Sequence, residues 1–331
     1  MAVYLPSYAE RALTQRAEVL RIDTDAEVYT QAKPPAPTPP PEVLPWGVDR
    51  IDADLVWDKN GDLVVDTGAN AGNGVKVAIL DTGIDLDHPD LQSNIKGGIN
   101  TINPLKSADD DNGHGSHVAG IIAGVDNTVG VLGVAPQACL YAVKVLNRQG
   151  SGFVSDIIEG IQWSVGNGMQ VINMSLGTPY DVQSFHDALI IAYNSGIVLV
   201  AAVGNSGPTD NTVLYPAKYT EVIAVSATDS SDAIANWSSR GAEVELAAPG
   251  VSISSTYKGG GYTTLSGTSM ASPHVAGTAA LVIASGITGS NEVRAKLQST
   301  ADAMGAVGRD SLYGYGLVDA QEAATGVQTL P

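Results

Sequence analysis

Five short runs of Val, Ile, Leu and Ala recur along the chain: "VKVAIL" (75–80), "LYAVKV" (140–145), "QVINMS" (170–175), "IVLVAAV" (197–203) and "VIAVSA" (222–227). Each has the length of a strand and is almost free of charge. Stretches with helical periodicity, such as "VSDIIEGIQWSV" and "SFHDALIIAYNSG", lie between several of them. A strand that is apolar on both faces must be covered on both faces. Strands of this kind alternating with helices predict an α/β fold of three layers, a mostly parallel twisted sheet with helices on both sides. At 331 residues the chain suffices for one large domain or two modest ones.

A second constraint comes from residues 259–291, which contain no Asp, Glu, Lys or Arg. Within them "GTSMASPHVAGTAALVIAS" reads as a long helix starting near Ser269. A helix without charge is buried all round. Pro273 is expected in or near its first turn, where a missing N–H costs little. The apolar stretch 275–287 is too short to span a bilayer, so no membrane partner is expected.

Charge and cysteine narrow the classes. Seventeen Lys and Arg against 35 Asp and Glu give a net charge of −18. Phosphate binding needs clustered cations, so nucleic acid is not the expected partner. A single cysteine, Cys139, excludes an internal disulfide; at the start of a buried strand it reads as core. "MAVYLPSYAER" lacks a cationic start followed by an apolar run. The protein is therefore expected to be intracellular or to begin downstream of a removed signal.

The proline tract "PPAPTPPP" (34–41) should be extended and solvated. It divides the chain into an N-terminal piece (1–32), a linker (33–41) and the remainder (42–331). A helix near 8–17 and strands near 18–23 and 26–30 are expected in the first piece. Thirty residues bury too little surface to fold alone.

Three stretches carry chemistry. "VAILDTGID" puts Asp81 at the carboxyl end of a buried strand. "GHGSHVAG" starts a helix at about His114, and Ser269 opens the uncharged helix. In open α/β sheets sites form at the carboxyl ends of strands, where helix N-termini also converge. An Asp, a His and a Ser meeting there supply an orienting carboxylate, a base and a nucleophile. The His114/His117 pair does not read as a zinc site, because no third ligand follows and no His–Glu–x–x–His pattern occurs. His274 reads as a buried, hydrogen-bonded side chain and His186 as solvated helix surface. Asp109, Asp110 and Asp111 read as a solvated acidic loop in preference to a second cation site, and Asp85 and Asp87 as surface loop.

"DTGID", "GHGSHVAG" and "GTSMASPHVAG", in the order Asp, His, Ser, resemble the subtilisin family of serine proteases over roughly residues 42–325, with "AAVGN", "APG" and "YGYGLVDAQEAA" in support. The resemblance implies a serine endopeptidase of broad specificity, acting as a secreted monomer on polypeptides. It implies Ser269 as nucleophile, His114 as base, Asp81 as the residue holding the base, and Asn205 as oxyanion donor. It makes His117 structural. It also implies a substrate cleft between Gly150, Ser151 and Gly152 on one edge and Ser175, Leu176 and Gly177 on the other. The uncharged primary pocket would be lined by Ser175–Gly177 and residues 201–204, including Ala202 and Gly204. Leu214 stands where the family often has glycine, which suggests a shortened pocket and a preference for mid-sized apolar residues.

The same resemblance implies a calcium ion, Ca2+, on the "VDNTVGV" loop. Its ligands would be the Asn127 side chain, the carbonyls of Val125, Val129 and Val131, and the carboxylate of Asp90. Glu42 stands where the family uses an amide. The alternative is an ordinary capped turn. "AEVLRIDTDAEVYT" is similar to the end of a subtilisin propeptide, shorter than usual. It implies that the N-terminal segment inhibits its own cleft until a cut between Tyr29 and Lys33. The rival is an intracellular subtilisin with a short blocking extension. A catalytically silent, peptide-binding relative and a hydrolase of small esters are the other classes in play.

Overall fold

The computed structural model describes residues 39–327, together with Leu13 and Arg16. The chain divides into two units, Met1–Pro35 and Ala36–Pro331. The helix and strands expected in the first piece lie outside the described residues.

The second unit is built on seven parallel strands: β1 (Lys76–Asp81), β2 (Ile95–Asn100), β3 (Cys139–Lys144), β4 (Val171–Met174), β5 (Val198–Ala202), β6 (Val222–Thr228) and β7 (Leu246–Pro249). Their spatial order is β2-β3-β1-β4-β5-β6-β7. The five apolar runs are β1, β3, β4, β5 and β6, and they occupy the middle of the sheet. Alternate residues of each run feed opposite faces. Val77, Ile79, Val171, Val200 and Val225 join one core, while Ala78, Leu80, Ile172, Leu199 and Ala224 join the other.

The first core is covered by α3 (His114–Ala123) and α6 (Thr268–Ala284), and the second by α4 (Val154–Gly166) and α5 (Gln183–Asn194). The three-layer α/β architecture follows directly. Short helices α1 (Trp46–Arg50) and α2 (Asp54–Trp57), then α7 (Ser290–Ser299) and α8 (Ala320–Thr325), close the first face, and a hairpin of β8 (Ile253–Tyr257) and β9 (Gly261–Leu265) lies beside α3. Fifteen of the seventeen residues of α6 are buried, as its lack of charge requires. Pro273 falls inside this helix, at its sixth residue, beyond the first turn. Its missing N–H therefore leaves the Ser269 carbonyl without its usual partner.

The end of the proline tract is engaged. Pro40 accepts from the N–H of Gly130, Glu42 donates to Thr128, and Val43 donates to Gly130. Among the described residues no helix is long and apolar enough to cross a membrane.

Candidate active site

β1 lies between β3 and β4, where the order of connection reverses, and its carboxyl end opens a crevice. Asp81, the last residue of β1, is fully buried. His114, the first residue of α3, presents Nδ1 to both carboxylate oxygens at 2.8 and 2.9 Å. A carboxylate only accepts, so Nδ1 carries the proton and Nε2 of the neutral ring is left to accept. Burial disfavours the imidazolium, but the charge of Asp81, its hydrogen bond and the charge of Asp110 outweigh it. The His114 pKa is raised above the ordinary value.

Asp110 anchors this arrangement and corrects the reading of a solvated acidic loop. It is buried. One oxygen accepts from Thr82 Oγ1, the Asn112 N–H and the Gly113 N–H; the other accepts from the N–H and the hydroxyl of Ser116. A carboxylate here also meets the positive end of α3. Thr82 closes the circuit, donating its N–H to Asp81 and accepting from the Gly115 N–H. Sequence reading missed Asp110; the one signal was its position four residues before the helix, close to first-turn N–H groups that need an acceptor. Gly113 has φ 114°, and a Cβ there would lie 2.3 Å from Cζ of Tyr257, so no larger residue fits.

Ser269 is the second residue of α6. Among the described residues its hydroxyl donates to the Ser175 carbonyl at 3.3 Å rather than to His114. Ser175 in turn lines the same cavity as His114. That cavity, ≈ 520 Å³, is also lined by Gly150, Ser151, Gly152, Leu176 and Gly177. The structure thus brings these six expected substrate contacts together with the imidazole. Asn205 Oδ1 accepts from both the N–H and the hydroxyl of Thr268, each at 3.0 Å, which turns Nδ2 outward. A Cβ placed on Gly267 would lie 3.7 Å from both Asn205 Nδ2 and the Ser269 N–H nitrogen. Two donors therefore converge on one small space beside Ser269.

Ala202, Gly204 and Leu214 do not line the cavity. Leu214 is packed between the cleft wall and the strand end. A Cβ on Gly177 would lie 3.0 Å from Leu214 Cβ, and one on Gly204 would lie 2.8 Å from Leu214 Cδ1. Ala202 is buried as the last residue of β5.

Of the other histidines singled out in the sequence, His117 and His274 lie as expected and His186 does not. His117 is fully buried, with Nε2 donating toward the Ile253 and Thr263 carbonyls at 3.1 and 3.2 Å; burial lowers its pKa to about 4. His274 is fully buried, donates from Nδ1 to the Met270 carbonyl and is likewise lowered to about 4 by burial. His186, expected on solvated surface, instead stacks on Tyr219 and pairs with Glu221 at 2.8 Å. Asp85, also expected on the surface, is buried and accepts from the Gly260 N–H.

Around the "VDNTVGV" loop, which follows the end of α3, Asp90 is fully buried. Its oxygens accept from Asn127 Nδ2 and the Val131 N–H, and its backbone carbonyl from the Val125 N–H. Glu42 accepts from the Asn127 N–H. A Cβ on Gly130 would lie 2.3 Å from both Asp90 Oδ2 and the buried, unpartnered Tyr262 hydroxyl. Burial first, then the charge of Glu42, drives the Asp90 pKa up to about 7. Among the described residues no group of three or more His, Cys, Asp or Glu side chains forms a metal site.

Residues 72–316 match the family model for the subtilase family. Subtilisin DY of Bacillus licheniformis is 50% identical over 287 residues, 86% of this chain and 99% of that protein. Subtilisin Savinase of Lederbergia lenta is 47% identical over 283 residues, covering 85% and 98%. An alkaline protease of Alkalihalobacillus alcalophilus is 46% identical over 305 residues, covering 92% and 73%. With a carboxylate-held histidine at the carboxyl edge of a parallel sheet and agreement of this extent along the chain, the protein belongs to the subtilase family.

Proposed function

We propose that this subtilisin-like serine endopeptidase works through Ser269, His114 and Asp81. The observation that carries the reading is the two-oxygen contact of Asp81 with His114 Nδ1 beside the head of α6. Rotation of the Ser269 side chain moves its hydroxyl from the Ser175 carbonyl to His114 Nε2. The oxygen attacks the scissile carbonyl while His114 takes its proton; His114 then gives that proton to the leaving amine. Water repeats the sequence on the acyl-enzyme. Asp81 holds the tautomer and stabilises the imidazolium. Asn205 Nδ2 and the Ser269 N–H receive the oxyanion. A serine-directed phosphonate should label the chain at Ser269, and Ser269→Ala should abolish both labelling and proteolysis. Proteolysis that survives this substitution refutes the assignment.

Polypeptide substrate would lie extended along the cavity between residues 150–152 and 175–177. Leu214 lies outside that cavity but packs behind its Gly177 wall, so its bulk would keep the primary pocket from deepening and favour mid-sized apolar residues before the cut.

The Asp90 loop fits calcium by its chemistry. Asp90 and Glu42 are hard oxygen donors brought close together, one of them without water, and a buried tyrosine hydroxyl beside them lacks a partner. Asp90, Glu42, the Asn127 carboxamide and the carbonyls of Val125, Val129 and Val131 would hold the ion. Asn127 presently directs its NH2 toward Asp90, so binding requires that carboxamide to turn its oxygen inward. The ion's contribution is to the rigidity of this loop. Residues 1–32 would act as an intramolecular inhibitor, removed by a cut between Tyr29 and Lys33. N-terminal sequencing of the active enzyme tests this, and an intact N-terminus on fully active protein refutes it.

A further inference from the structure

We infer that Lys144 is a positioning residue that brackets the catalytic carboxylate and the catalytic base. Lys144 is the last residue of β3 and lies directly opposite Asp81 in the parallel pairing. Only 7% of its side chain is exposed. An ammonium has three protons, and here each has a partner: the Thr82 carbonyl, the Leu146 carbonyl at 3.1 Å and Asp111 Oδ1 at 2.7 Å. Thr82 follows Asp81 in the chain. Asp111 lies three residues before His114.

The bracket therefore joins the two segments whose side chains must meet. Asp81 and His114 are 33 residues apart, and the contact between them depends on backbone that is loop on both sides. Thr82 and Asp110 supply one neutral-to-anionic link. Lys144 supplies a cationic one, which no apolar residue of similar length could replace. A buried ammonium stripped of water is tolerated only when its partners are complete, and this one's partners are the site's own framework.

The charged groups acting on His114 are Asp81 from β1 and Asp110 from the loop before α3, with the Lys144–Asp111 pair behind them. His117 on α3 and His274 on α6 are held neutral by burial. Lys258, after β8, donates to the Asp111 carbonyl from the exposed side. Lys144 and Asp111 cancel as a pair, so removing one of them exposes the other's charge to the imidazole.

The inference rests on His114 being the base, and the experiment separates the two. The pH profile of kcat/KM on a peptide amide is measured at low salt for the unmodified chain, Lys144→Met, Asp111→Asn and Lys96→Met. Lys144→Met should move the acid limb up by about half a pH unit and Asp111→Asn should move it down by a similar amount. In Lys144→Met kcat should fall roughly 10- to 100-fold at unchanged KM, the size of a small misplacement of reacting groups. Lys96, exposed and among the described residues bonded only to the Ser93 carbonyl, should move nothing. Limbs that shift in the same direction, or stay put, overturn the bracket, as does an equal shift in Lys96→Met. Should Lys144→Met fail to fold, Asp111→Asn decides alone: a downward shift supports the bracket and an unmoved limb overturns it. Turnover that persists in His114→Ala would instead remove the base assignment itself.

Discussion

The Ser175 hydroxyl donates a 2.9 Å hydrogen bond to the carbonyl oxygen of Ser269. In a regular helix that carbonyl would accept from the N–H four residues on, which here belongs to Pro273. Ser175 thus supplies the donor that proline withholds, and it is steadied by Asn173 Nδ2 at 3.0 Å. Ser175→Ala should lower stability by about 1 kcal/mol, the low end of the cost of an unpaired acceptor because this one is only partly buried, and should lower kcat as the turn carrying the proposed nucleophile loosens. The cost should shrink in a Pro273→Ala background, where the backbone donor returns. Thermal unfolding of the unmodified chain, the two single variants and the double variant checks this, and strict additivity would refute it.

Asn205 has its carbonyl oxygen fully occupied by Thr268, so its NH2 is aimed and not free to swing. Asn205→Ala should leave KM nearly unchanged and reduce kcat by roughly 10²–10³, the loss known for removing this same donor from a subtilisin. An unchanged kcat would exclude Asn205 from the oxyanion site.

Leu214 touches the walls that would otherwise face one another across a deeper pocket. Leu214→Gly should raise kcat/KM for Phe and Tyr before the cut relative to Leu by roughly tenfold, within the range set by filling or emptying an apolar pocket. A peptide panel measures it. Equal ratios in the two proteins would show that Leu214 does not limit the pocket.

Asp90 gives a signed prediction for pH and metal. Its folded pKa of about 7 lies above the unfolded 3.8. In that interval the folded chain holds the extra proton, so this residue's contribution to stability falls as pH rises from 3.8 toward 7 and stays low above it. With a chelator at alkaline pH, Asp90→Asn should melt higher than the unmodified chain. With calcium the order should reverse, because only the carboxylate gains from the ion. A variant that melts lower in both conditions would remove Asp90 from a metal site.

The central strands were legible because both of their faces are buried, which leaves an unbroken apolar run. β2 and β7 were not. β2 is an edge strand, "IKGGIN", half of whose residues are exposed, and it is broken by two glycines. β7, on the opposite edge, has four residues, two of them alanine. The β8–β9 hairpin is built on Ser, Thr and Tyr, whose side chains bond to α3 instead of advertising a core. At the site, Asp81, His114 and Ser269 could be placed from strand end and helix start alone. Asp110, Asp85 and His186 could not, because only packing shows whether a polar side chain meets water or a partner. Pro273 lies just past the first turn it was expected in or near; what the sequence did not show is its compensation by Ser175, ninety-eight residues earlier in the chain.

Ser269, the proposed nucleophile, sits at the head of α6, the helix through the middle of the larger core. Fifteen of that helix's seventeen residues are buried, so it cannot open without opening the core around it. Catalytic competence should consequently vanish together with the whole cooperative unit on heating, and residual activity becomes a direct gauge of the intact population.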